Sequence, residues 1–186
     1  TEYVTDVDSE LSRRAIIALG ELAIHLSPVS EEMTRLILSL MDVDNAYIRA
    51  QSAIVLKDVV RIHPQLSELV LPYVGKYLKR MEDSDAKAGL LWMLGEFGST
   101  VLEAPYIVEQ LVDNYDDESS NEVKLQLLNA TMKLFFQRPP EVQAMLGRLL
   151  RKAVNDTSNQ DLHDRALLCY RLLASNIRTA ESVFAG

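Results

Sequence analysis

The chain has 186 residues, and its 27 Asp and Glu outnumber its 19 Lys and Arg, so its formal net charge is −8. This acidic balance disfavours direct binding to nucleic acid or anionic lipid, because both require clustered positive charge. One cysteine, Cys169, excludes an internal disulfide framework and is typical of a reducing compartment. Few glycines and prolines among many helix-forming residues predict an all-α fold.

Five helical segments recur along the chain at an almost constant spacing of 37 or 38 residues. In each segment we take as the anchor one charged residue that is followed by an apolar residue; the anchors are Glu21, Asp58, Glu96, Lys133 and Arg171. Apolar residues stand one position after, three before and five before each anchor, on one broad helical face. This pattern predicts a buried stripe formed by Leu22, Val59, Phe97, Leu134 and Leu172, by Ala18, Val55, Met93, Ala130 and Leu168, and by Ile16, Ala53, Leu91, Leu128 and Ala166.

Four further amphipathic segments alternate with the anchor helices, at 31–41, 66–81, 105–115 and 140–154. Prolines lie between the helices, where a residue without a backbone N–H ends one helix or begins the next; they are Pro28, Pro64, Pro105 and Pro139. Stretches rich in Asp, Asn and Ser separate the pairs and can cap the helices that follow. The sequence therefore predicts one α-solenoid over residues 1–186, an α-α superhelix of about five HEAT/armadillo-like pairs. A globular helical bundle would not require such regular spacing.

The residues that carry chemistry in other proteins are scattered here. His25, His63 and His163 form no metal-binding motif, and we expect His25 and His63 at helix ends. The segment 161–165 combines acids, His163 and Arg165 without a nucleophile; it predicts a helix start, with Asp161 or Asp164 near the cap and Arg165 in local ion pairs. We predict no catalytic, metal or cofactor-binding residue, and therefore a protein that is not an enzyme.

Three stretches resemble a known family. Residues 90–97 (LLWMLGEF) are similar to its apolar-Trp-x-x-Gly-Glu-aromatic helix, 133–139 (KLFFQRP) to its Lys-Leu-Phe-x-x-x-Pro segment, and 161–173 to its Asp-Leu-Arg-Asp-Arg … Arg-Leu-Leu helix. In the last, His163 replaces a usual Arg and Ala166 a usual Gly. The chain thus resembles the trunk of the β-type large subunit (β-adaptin) of heterotetrameric clathrin-associated adaptor complexes. Residues 104–109 and 145–150 are most similar to the β chain of the fourth adaptor complex.

This resemblance implies a scaffold subunit for cargo sorting in intracellular protein transport. The chain would be the C-terminal part of an adaptin trunk, without hinge or appendage. Its partners would be the medium chain's N-terminal domain, the second large chain and the small chain, with an Arf-type GTPase binding through repeats outside this chain. The complex would be cytoplasmic and peripheral on trans-Golgi network and endosomal membranes, touching the membrane only indirectly. The alternative is a helical-repeat scaffold of another complex: a coatomer trunk, a karyopherin or a phosphatase regulatory subunit.

The anchors themselves predict a docking surface. Second helices of solenoid pairs usually line the concave face, and the anchors would form a row of exposed charges there, acidic in the first three pairs and basic in the last two. Charge complementarity would orient a partner, and an aromatic side chain would supply binding energy. The expected partner-binding residues are Arg14, Glu21, Lys57, Asp58, Trp92, Glu96, Lys133, Arg165 and Arg171, with Gln126 flanking the row. A solvated face that only confers solubility is the alternative.

Overall fold

Over residues 9–184, which a computed structural model describes, the chain folds into ten α-helices and no β-strand. They are α1 (Ser9–His25), α2 (Ser30–Leu40), α3 (Ala46–Ile62), α4 (Ser67–Leu78), α5 (Ser84–Phe97), α6 (Ala104–Asp113), α7 (Asn121–Gln137), α8 (Pro139–Asn155), α9 (Gln160–Ser175) and α10 (Ile177–Phe184). The anchor segments are the odd-numbered helices. The four predicted amphipathic segments are α2, α4, α6 and α8, whereas α10 was not predicted.

The chain divides into two compact units, residues 1–93 and residues 94–186, with the division inside α5. In the first unit, α1 packs against α2 and α3, and α2 also contacts α3. In the second unit, α7 packs against α8 and α9, α8 contacts α6 and α9, and α10 contacts α7 and α9. First helices of successive pairs are thus neighbours, which is the stacking of a solenoid. The predicted all-α solenoid of helix pairs is confirmed.

The linking stretches cap and separate the helices as predicted. Asn45 accepts hydrogen bonds from the backbone N–H groups of Tyr47 and Ile48 at the start of α3. Pro28 and Pro64 lie in short 3-10 turns between helices, and Pro105 and Pro139 begin α6 and α8. The cap of α9 is Asn159, whose side chain accepts from the N–H of Leu162; the acids expected near the cap lie inside the first turn and a half of this helix.

Small residues let the anchor helices approach one another closely. A Cβ added at Gly20 would lie 2.3 Å from Cγ1 of Val55, and one added at Gly95 would lie 2.7 Å from the backbone Cα of Ala130. Val55 and Ala130 occupy the same repeat position, three before their anchors. A glycine one position before an anchor therefore receives the next repeat's helix, which confirms the close approach expected from the sequence.

The predicted stripe is fully buried in α3 and α7, whereas in α1 and α9 it is buried only in part, at Ile16 and Ala166. Val59 and Leu134 are fully buried, but their counterpart Leu22 is 44% exposed, and Leu168 of α9 is 47% exposed. The stripe marks the face that a solenoid can bury, and burial itself requires a neighbour on that face.

Candidate protein-docking surface

Every predicted partner-binding residue lies on an odd-numbered helix: Arg14 and Glu21 on α1, Lys57 and Asp58 on α3, Trp92 and Glu96 on α5, Lys133 on α7, and Arg165 and Arg171 on α9. Counted from α1, these are the first helices of the described pairs, and the assignment of the anchors to second helices stays a prediction. Sequence periodicity gives the repeat length but does not show which helix begins a pair.

In the first unit, three of the predicted partner-binding residues already form ion pairs within the chain. Arg14 is paired with Glu10 on the same helix, with Nε 3.0 Å from the carboxylate oxygen. Lys57 Nζ lies 3.1 Å from Oδ1 of its neighbour Asp58, and both side chains are partly buried. Glu21 is exposed on α1.

In the second unit, Lys133 donates a hydrogen bond to the carboxylate of Glu96, and the two side chains are 24% and 32% exposed. Two successive anchors therefore neutralise each other, which corrects the expectation of a graded row of separate charges. Arg165 and Arg171 are exposed on α9. The local ion pairs expected for Arg165 do not occur among the described residues.

Polar contacts between residues about one repeat apart in the sequence join neighbouring repeats. His63 Nε2, at the end of α3, donates to the carbonyl oxygen of Ile24 near the end of α1 at 2.9 Å. This histidine at a helix end satisfies a free carbonyl, as predicted. Similar contacts, 34 to 39 residues apart, join Lys76 to Asp42, Lys133 to Glu96, Arg138 to Val101, Arg148 to Glu109 and Lys152 to Asp116. Many charges of the sequence thus hold repeats together, and a search for opposite charges one period apart would have found several of these pairs.

The second unit contains a buried polar cluster that the sequence pattern did not predict. Lys124 Nζ donates to Oδ2 of Asp156 at 2.9 Å, and Tyr115 Oη donates to the same oxygen at 3.0 Å. Ser158 donates to Oδ1 through its backbone N–H and its hydroxyl. The ammonium of Lys124 also lies 4.7 Å from the centre of the Tyr115 ring, a cation–π contact. The Lys124 and Asp156 side chains are only 11% and 12% exposed.

Hydrogen bonds and burial within this cluster shift the pKa values of Asp156 and Tyr115. The Ser158 hydroxyl and the Lys124 ammonium donate hydrogen bonds to the carboxylate of Asp156. These bonds hold the pKa of Asp156 far below its usual range. Burial, followed by the hydrogen bond to Asp156, raises the pKa of the Tyr115 phenol well above its usual range. Both groups therefore keep one protonation state across physiological pH, and the cluster is suited to fixing three chain segments together.

Cys169, the single cysteine of the sequence, is buried on α9. Burial raises the pKa of the Cys169 thiol to about 11, so this cysteine is a poor nucleophile. Within residues 9–184 no group of three or more His, Cys, Asp or Glu side chains could hold a metal ion. No helix in the same range combines the length and the apolar character needed to cross a membrane.

Stacked helix pairs joined by polar contacts define a helical-repeat protein, a class whose extended surfaces bind other proteins. The family model of the adaptin N-terminal region matches residues 1–177. The chain therefore belongs to the adaptin N-terminal region family.

A beta-adaptin-like protein and beta subunits of AP-1 and AP-4 complexes are similar over nearly the whole chain. Beta-adaptin-like protein A of Arabidopsis thaliana is 39% identical over 183 residues, 98% of this chain and 22% of the relative. AP-1 complex subunit beta-1 of Homo sapiens is 32% identical over 182 residues, 98% of this chain and 19% of the relative. AP-4 complex subunit beta-1 of Mus musculus is 32% identical over 181 residues, 97% of this chain and 24% of the relative. The chain spans about a fifth of these relatives, and it is equally similar to the AP-1 and AP-4 chains, so no single subtype is distinguished.

Proposed function

We propose that this chain is a non-catalytic scaffold segment of the β-type large subunit of a vesicle-coat adaptor complex. The observation that carries the proposal is the family match over residues 1–177, together with relatives named as β subunits of AP-1 and AP-4 complexes. The stacking of helix pairs supports it, because such stacks present extended surfaces for other proteins. The role belongs to vesicle-mediated protein transport, on the cytoplasmic side of trans-Golgi network and endosomal membranes.

The proposed partners are the other subunits of the complex: the medium chain through its N-terminal domain, the second large chain and the small chain. An Arf-type GTPase would bind repeats outside this chain, and the membrane would be reached only through the complex. Arg165 and Arg171 are the best candidates for direct charge contacts, because both are exposed on α9. Lys133 and Glu96 are weaker candidates, since each already binds the other.

Calorimetry of the chain with the N-terminal domain of the medium chain, at low and high salt, tests this proposal. We expect saturable binding that weakens with salt and that falls several-fold when Arg165 and Arg171 are both changed to Glu. The matched control is Arg61→Glu, an exposed arginine at the end of α3, which should leave binding unchanged. Lys133→Glu is unsuitable, because it would place a second carboxylate beside Glu96 and destabilise the fold. A folded chain that does not bind would contradict the proposal.

A further inference from the structure

We draw no further inference here: the strongest candidate, the apolar surface patch at the start of α6 where Leu102 and Tyr106 are 80% and 63% exposed, carries no proposal because nothing in the structure shows what covers it.

Discussion

Changing Asp156 to Asn removes the charge at the centre of the buried cluster in the second unit while keeping the size of the side chain. The wild-type carboxylate accepts from Lys124, Tyr115 and twice from Ser158. An amide has one oxygen and one NH₂ group, so one of its two sides must point donors at the donors of Lys124 or Ser158. The variant therefore leaves the Lys124 ammonium buried without a counter-charge.

The size of the effect follows from the burial of the pair. Because the two side chains are only 11% and 12% exposed, solvent can replace only part of the lost carboxylate. Removing one partner of a buried ion pair costs about 3–5 kcal/mol, a large part of the roughly 5–15 kcal/mol that stabilises a typical protein. At about 2–4 °C per kcal/mol for a chain of this size, the melting temperature falls by roughly 6–20 °C.

Urea unfolding measures the stability lost in Asp156→Asn, and amide hydrogen exchange shows which helices lose it. Because repeats contact only their neighbours, faster exchange should be confined to α6–α9 and should not reach α1–α3. The matched control is Glu31→Gln, which breaks the ion pair between Glu31 and Arg35, whose side chains are 63% and 61% exposed. Exposed helical pairs of this kind contribute about 0.3–0.5 kcal/mol.

The pH dependence gives the prediction a second observable. The pKa of Asp156 is lowered in the folded chain from an ordinary value of 3.8. The contribution of the Asp156 carboxylate to the free energy of unfolding is therefore fully present above about pH 4. It is lost as the pH falls towards the lower pKa of the folded state. The difference in unfolding free energy between wild type and Asp156→Asn should be constant near neutral pH and should shrink below about pH 4.

A double-mutant cycle can refute this reasoning. Lys124→Met removes the charge that Asp156→Asn would leave unpaired, so the double variant should be more stable than the sum of the two single losses predicts. If the losses add within about 0.5 kcal/mol, the two groups are not coupled and the buried pair does not stabilise the fold as described.

Three further predictions concern single positions. Gly95→Ala should destabilise the chain by about 1–3 kcal/mol in urea unfolding, since its Cβ would meet the backbone of Ala130, whereas Gly147→Ala should stabilise it by about 1 kcal/mol; equal effects would contradict the packing. Alkylation of Cys169, buried and with its pKa raised to about 11, should be slow in the folded chain and fast in urea, and rapid labelling without denaturant would contradict its burial. Asn45→Ala should cost about 1 kcal/mol through loss of the cap of α3, while Asn45→Asp should cost much less; equal losses would show that the cap does not act.

The fold was predictable because its signals are local. Apolar spacing, prolines and capping side chains each act within a few residues, and together they predicted the repeat length and nearly all the helices. The exception was α10, whose eight residues follow α9 almost directly and lack a proline signal. Gly20 and Gly95 were also informative, because a small residue at a repeated position implies that a neighbouring helix lies close to it.

The docking surface was less predictable, because charge alone does not show whether a side chain faces solvent. Glu96 and Lys133 are anchors of successive repeats, and their spacing in the sequence suits either two free charges or one ion pair. The structure shows that Glu96 and Lys133 bind each other, because the end of α5 from Leu94 onward packs against α7. Arg165 and Arg171 have the same chemistry and remain exposed, because no described helix covers that side of α9.

By itself, the sequence determined the family, the all-α class and the period of 37 or 38 residues, since these depend on spacing along one chain. The tertiary structure decided which polar groups join repeats and which remain available to partners. Tyr115, Lys124 and Asp156 lie up to 41 residues apart and meet only because stacked helices bring their ends together. The open space at Gly147 likewise exists only because no neighbouring side chain reaches it, and no local pattern in the sequence records that distance.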